Sequence, residues 1–315
     1  MSVNKDIALE LCVLAKIRLD LFLSQQFNDI SRRQVQDWIK AGHVNVNDTT
    51  VTKASYTLGP GDVLNLKAQL AIMVENKPQA IELDIIFEDD ALMVINKPSG
   101  LVVHPGAGIP DQTLLNAILY HAPDNCNLAR AGIVHRLDQY TSGLMVVAKS
   151  LEAYHSLVDA FKQRSVTKSY QAIVIGVMKI SGSMDAPIGR HSTQRTKMAV
   201  MHRGKPALTH YRIQKRYHHF THLELDIETG RTHQIRVHMA HLKHPIVGDH
   251  VYGQKKRLTQ LHPEVASWYE AQSHQLLQAT KLSFEHPILK TTMSFEVPEN
   301  QELKYALDLL NQYDT

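Results

Sequence analysis

Cysteine is almost missing from this sequence. Cys12 and Cys126 stand alone in 315 residues and form no CxxC pair, which excludes a disulfide framework and a zinc knuckle and fits a reducing cytoplasm. Aromatic residues supply only 6% of the chain, and its longest apolar stretches, such as residues 172–178, fall far short of a membrane span. The chain opens at Met1 without a charged and then apolar leader, so a soluble, cytoplasmic protein with no membrane partner is expected. Familiar catalytic signatures are missing as well. Gly106 and Gly108 begin neither a Walker loop nor a GxGxxG turn, so no nucleotide cofactor is expected. Ser142 lacks a GxSxG elbow, which removes the usual hydrolase reading.

Net charge is small too, at +3, but it is unevenly spread. Residues 130–257 hold 21 Lys and Arg against 8 Asp and Glu, so the rest of the chain is net acidic. Such a concentration favours a polyanionic partner, because it steers phosphates toward one region. His238, His241 and His244 sit in that region. They lack HExxH spacing and a completing carboxylate, so they are expected to face solvent or nucleic acid and to bind no metal.

The length fits one small and one large domain. In residues 16–66, Leu19, Phe22 and Leu23 fall at helical spacing, and a second helix is signalled by Ser31 as N-cap, Val35, Trp38 and Ile39 on one face, and Gly42 as the stop. Val44 and Val46 then alternate, Asn47-Asp48 turns, and a short strand follows at 63–66. Arg32, Arg33 and Lys40 project from the second helix and could contact phosphates, although this segment has no large excess of positive charge. Residues 67–80 read as a linker. Strands are expected at 81–87 and 91–95, a helix capped by Ser150 after 149, a buried strand at 170–177, and two more strands at 207–215 and 221–227. Residues 186–206 carry Arg190, His191, Arg195, Lys197, His202, Arg203 and Lys205 without clear periodicity, which predicts a mobile basic loop or hairpin. Hairpin-like pairs outnumber crossovers, so the large domain is expected to be α+β around a mainly antiparallel mixed sheet.

The chemistry centres on residues 135–149, where Asp138 lies between Arg136 and a Thr141-Ser142-Gly143 turn, just before an apolar run. An ordinary Arg–Asp pair in a strand turn is the bland reading. The companion motifs weigh against it: Lys97-Pro98-x-Gly100 with His104-Pro105, where Lys97 and His104 could line a cleft; Lys168-Ser169-Tyr170-Gln171; and Thr229-Gly230-Arg231-Thr232-His233-Gln234-Ile235-Arg236. The pattern HRLDxxTSG, with these companions, resembles the RluA-type pseudouridine synthases along nearly the whole chain, and the N-terminal segment resembles the S4 RNA-binding domain.

That resemblance implies an S4-like domain at 1–70, a linker at 71–80 and a catalytic domain of pseudouridine synthase fold at 81–315. It implies a cofactor-free isomerisation in which the N1 glycosidic bond breaks, the uracil rotates, and C5 joins C1′. Asp138 would be the nucleophile or anion stabiliser, Arg236 its basic partner with Arg231 the weaker candidate, and Tyr170 the residue that stacks on the base and has a hydroxyl implicated in proton transfer. Arg136, next to His135, would fill the space left by an extruded base. RNA contacts are expected from His135, Arg32, Arg33, Lys40, Arg190, Arg195, Lys197 and Arg231. The implied substrate is 23S rRNA or the assembling large subunit, at uridines in the helix 69 stem-loop, modified by a monomer. The alternatives are a sister synthase acting on other 23S uridines and a noncatalytic S4-type assembly factor, against which the intact Asp138, Tyr170 and Arg236 argue. His250, where proline is frequent, and Gln278, where histidine is frequent, depart from the family pattern.

Overall fold

The computed structural model describes residues 4–27, 32–71, 76–106, 108–194, 196–253 and 258–315. The chain divides into two compact units, Met1–Glu75 and Asn76–Thr315.

The first unit contains β1 (Asn4–Cys12), β2 (Ile17–Arg18), α1 (Leu19–Gln26), α2 (Arg32–Lys40), β3 (Val44–Val46), β4 (Thr49–Thr50), β5 (Thr57–Leu58) and β6 (Val63–Ala71). Val35, Trp38 and Ile39 put one face of α2 into the core, against Leu19 and Leu23 of α1, as their three- and four-residue spacing requires. Gly42 then reverses the chain with φ +79°, and the amide of His43 donates to the Trp38 carbonyl. Ser31, the expected N-cap, lies outside the described residues. The sheet runs β1-β6-β3-β4, and β1 pairs with β6 from Asn4↔Ala71 to Cys12↔Val63. One expectation is corrected here: the last strand continues from Leu66 to Ala71 into the segment read as a linker.

The second unit contains β7 (Ile85–Glu88), β8 (Leu92–Lys97), α3 (Leu114–His121), β9 (Ser142–Ala148), α4 (Leu151–Gln163), β10 (Thr167–Ile175), β11 (Gly182–Asp185), β12 (Ile188–Arg190), β13 (Met198–Val200), β14 (Leu208–Arg216), β15 (Phe220–Ile227), α5 (Gln234–His241), α6 (Pro263–Ala271), β16 (Leu277–Glu285), β17 (Thr292–Glu296) and α7 (Gln301–Tyr313). Nine strands form one sheet in the order β11-β14-β15-β10-β16-β9-β8-β7, with β17 also on β16. Every pairing is antiparallel except that of β16 with β9, so the fold is α+β. At the centre both faces are covered, which is why β8 and β9 are buried along nearly their whole length, whereas β15 alternates. Met145 and Val147 of β9 and Ala172 and Val174 of β10 face a core shared with Ile118 of α3 and Met239 of α5. The alternate residues Ile173 and Ile175 pack with Trp268 of α6 and Leu310 of α7. Ser150 caps α4 as expected, accepting from the Ala153 amide. The stretch 186–206 holds a hairpin of β12 and β13.

Candidate active site

Asp138 ends an irregular segment in which Leu137 is buried and Arg136 is exposed. Its carbonyl accepts from the Thr141 amide, closing a turn that leads straight into β9. Gly143 is needed there. Its φ is +110°, and a Cβ would sit 2.0 Å from the Ala279 carbonyl oxygen, at the point where β9 meets β16.

The turn is stitched to the Lys97-Pro98-Ser99-Gly100 segment. The Lys97 ammonium donates to the carbonyls of Pro98 (2.7 Å), Gln139 (2.9 Å) and Leu101 (3.0 Å), and the Gly100 amide donates to Gln139 as well. Lys97 was expected to line a cleft, but it is 1% exposed. Burial pushes its pKa down to about 7, against the pull of Asp138. It belongs to the floor of the site, as a tie between two turns. His104 is half-buried, and burial, followed by the charges of Arg130 and Arg136, pushes it down to about 4.

Arg236 arrives from α5. Gln234, at the start of that helix, fixes its entry: its Oε1 accepts from the Thr229 hydroxyl and the Arg231 amide, while its Nε2 donates to the Leu208 carbonyl and to Thr209 Oγ1. The Arg236 guanidinium then divides its donors. Nη1 gives Asp138 Oδ2 a bond of 2.9 Å, and Nε and Nη2 bind Asp249 at 2.7 and 3.0 Å. Burial opposes the charge, but the bonds to Asp249 and the charge of Asp138 outweigh it and raise the pKa further. Asp249 is 1% exposed at its side chain, and its Oδ1 also accepts from the amides of Val251 and Tyr252. The Tyr252 ring packs under the guanidinium, 5.1 Å away.

Tyr170 lies on β10 and is 6% exposed. Burial first, then the negative charge of Asp138, raises its pKa, so its phenol stays protonated at neutral pH. No hydrogen bond from its hydroxyl to another described residue is formed, beside a carboxylate whose Oδ2 alone is bonded, to Arg236. The three motif residues Asp138, Tyr170 and Arg236 are thus brought together from a turn, a strand and a helix.

Other expected site residues fare differently. Arg136 is exposed and forms no ion pair among the described residues. His135 is half-buried and engaged within the protein: its Nε2 accepts the Val146 amide (3.0 Å) and its ring stacks on Phe161 at 4.6 Å. Burial and then Lys168 hold it down at about 3, so it remains a neutral packing element. Arg231 does not pair with Asp138, because its Nε donates to the Pro206 carbonyl (3.0 Å). His238 is fully buried between Thr209 Oγ1 and the Ala186 carbonyl, contrary to the expected outward-facing role, whereas His241 is exposed. Arg32 is not a free phosphate contact either, since its Nη2 lies 2.7 Å from the buried carboxylate of Asp20. Arg33 and Lys40 are exposed, as is Arg190 on β12, while Lys197 is half-buried. Arg195 lies outside the described residues. Asp249, Tyr252 and His233 were not singled out in the sequence. The spacing Gly248-Asp249-x-x-Tyr252-Gly253 was the available signal for the first two. The departures are local: His250 Nε2 meets the Gln272 carbonyl, and Gln278 bonds Pro298 and Asn300.

The chain is similar to known proteins along most of its length. A family model described as RNA pseudouridylate synthase matches residues 91–241, and an S4 domain model matches residues 17–64. The chain is 48% identical over 296 residues to a ribosomal large subunit pseudouridine synthase D of Vibrio parahaemolyticus, covering 94% of this chain and 91% of that one. The corresponding protein of Pseudomonas aeruginosa is 47% identical over 306 residues, covering 94% and 92%. Among solved structures, human RNA pseudouridylate synthase domain containing 1 superposes with a TM-score of 0.56 at 27% identity over 74% of this chain and 95% of that one. Its relative, domain containing 4, gives 0.57 at 26% identity over 74% and 94%. With these likenesses spanning both units and the Asp138–Arg236 pair, the chain belongs to the RNA pseudouridylate synthase family and carries an S4 domain.

Proposed function

We propose that this enzyme isomerises uridines of large-subunit ribosomal RNA to pseudouridine, with Asp138 as the acting carboxylate and the helix 69 stem-loop of the 23S molecule as its target. The observation that supports this most directly is the pairing of Asp138 with Arg236 beside a protonated Tyr170 whose hydroxyl bonds no described residue. The reaction breaks N1–C1′, forms C5–C1′ and moves the C5 proton, so it consumes no redox equivalent. In this reading Arg236 keeps Asp138 aimed, Tyr170 stacks on the uracil and serves proton transfer, and Arg136 takes the place of the extruded base. The S4 unit, through Arg33 and Lys40, and the hairpin bearing Arg190 and Lys197 dock phosphates. The enzyme acts as a monomer, on rRNA or on the assembling subunit.

Pseudouridine mapping of rRNA from cells with and without the gene tests the reading, with Asp138→Asn as the complementing variant. Helix 69 modifications should vanish without the gene and stay absent with the Asn variant, which should still bind RNA. Loss at other 23S uridines would point to a sister specificity. Unchanged modification with defective subunit assembly would point to a noncatalytic assembly factor.

A further inference from the structure

His233 joins the ion pair to the basic hairpin. It precedes α5 in a left-handed conformation, φ +57°, and its side chain is 23% exposed. Nδ1 lies 2.6 Å from the Tyr252 hydroxyl, and Nε2 lies 3.8 Å from Asp138 Oδ1, the carboxylate oxygen that Arg236 leaves unbound. The same Tyr252 hydroxyl accepts the amide of Met198, the first residue of β13, at 2.9 Å. The chain of contacts therefore runs from the hairpin backbone through Tyr252 and His233 to Asp138.

Proton bookkeeping fixes the direction of that chain. A phenol has one hydrogen to give. If Nδ1 carried the imidazole hydrogen and donated to Tyr252, the phenol hydrogen would have no acceptor among the described residues, and a bare Nε2 lone pair would face a carboxylate. If Tyr252 donates to Nδ1, the phenol hydrogen has its acceptor and Nε2–H, 3.8 Å from Oδ1, meets the carboxylate as a favourable electrostatic contact. Burial pushes the imidazole below its ordinary value. Around it, Asp138 and Asp249 pull the other way, while Arg236 and Arg136 add to the depression.

We infer that His233 is a positioning residue for Asp138: Tyr252, seated by the β12–β13 hairpin, locks it as the Nε2–H tautomer, which orients Oδ1 while Arg236 holds Oδ2. This rests on the proposed action of Asp138, so the test has two arms. In the first, imidazole 15N NMR of the full chain, assigned by loss of the signal in His233→Gln, should show the Nε2–H form from about pH 6 to 8, with Asp138, Asp249, Arg236, Arg136 and Tyr252 as the neighbouring titratable groups. Tyr252→Phe should mix the tautomers. The Nδ1–H form in the wild type, or an unaltered spectrum in Tyr252→Phe, overturns the assignment.

The second arm is kinetic. His233→Phe should lower kcat about 100-fold with little change in KM, as expected when a reacting group is misaimed. His233→Gln, which offers an N–H near the same place, should recover most of that loss. Equal turnover by His233→Phe and wild type, or a Gln variant no better than Phe, overturns the positioning role. Wild-type enzyme inactive on every rRNA tested would instead defeat the proposed function, and the NMR arm would still decide the tautomer.

Discussion

Arg236 can aim Asp138 only if something else holds Arg236, and that residue is Asp249, bonded to Nε and Nη2 and itself pinned by two backbone amides. Asp249→Asn should therefore lower kcat about 100-fold through misplacement of the guanidinium, and weakening a buried pair should cost about 3 kcal/mol of stability. Product formation and urea denaturation measure the two effects, and wild-type turnover would release Asp249 from the role. Arg136 makes the opposite case, being exposed and without an ion pair among the described residues. If it replaces the extruded base, Arg136→Ala should impair turnover more on a paired target uridine than on an unpaired one, because unstacking by a few kcal/mol is then poorly offset. One sequence presented in two stem contexts makes the comparison, and equal penalties would remove Arg136 from extrusion. Asp138, Tyr170 and Arg236 were legible because each lies in a multi-residue motif. Asp249 was not, since a single loop carboxylate has no period to betray its partner. Lys97 was misplaced because lysine is seldom buried, and nothing local announces the three carbonyls that accept its hydrogen bonds.

The motif glycine is explained only by the element it starts. Gly143 lets β9 lie against β16, so Gly143→Ala must push the Ala279 carbonyl away and hold a strained φ. A loss of about 3 kcal/mol or more is expected, read as a drop in the urea midpoint, and an unchanged midpoint would mean that the strands tolerate separation. In the first unit, α1 and α2 are clamped by Asp20, which is fully buried and accepts from Arg18, Arg32 and Gln36. Burial opposes its charge, but bonds from Arg32, Gln36 and Arg18 win and lower its pKa from 3.8 to about 2. A folded-state value below the unfolded one contributes stability that is complete above the unfolded pKa and lost as pH falls through the folded one. Hydrogen exchange over α1 and α2 should accordingly quicken between about pH 4 and 2, beyond the intrinsic pH effect, and this acid-dependent part should disappear in Asp20→Asn. Persistence in the Asn variant would place the acid sensitivity elsewhere. Helices and central strands were legible from the pattern: α2 from its apolar face and β9 from its unbroken run. The β1–β6 pairing was not, because Lys67, Ala68 and Ala71 are poor strand formers and the segment owes its extended form to a strand far earlier in the chain.

For the whole molecule, charge and domain structure bear on the same question of how a long RNA is held. The positive excess lies in residues 130–257, whereas the first unit spends Arg18 and Arg32 on Asp20 and leaves Arg33 and Lys40 exposed. Arg33 and Lys40 on α2, with the exposed Lys16, Lys53 and Lys67, are thus the phosphate contacts available from the first unit, and they lie outside the unit that carries Asp138. Removing residues 1–75, the whole compact unit, should leave the chemistry intact and weaken only the capture of extended RNA. Each lost phosphate contact should reduce the slope of log K against log salt by about 0.9 on a duplex. Two such contacts would be visible in binding measured between about 50 and 200 mM KCl. The truncated enzyme should lose efficiency on a long rRNA fragment and keep most of it on a short stem-loop that reaches only the catalytic unit. Full-length Arg33→Ala/Lys40→Ala should reproduce the reduced salt slope without any deletion, which separates lost contacts from a truncation that folds poorly. If both proteins match wild type on the long RNA at every salt concentration, docking belongs to the basic second unit alone.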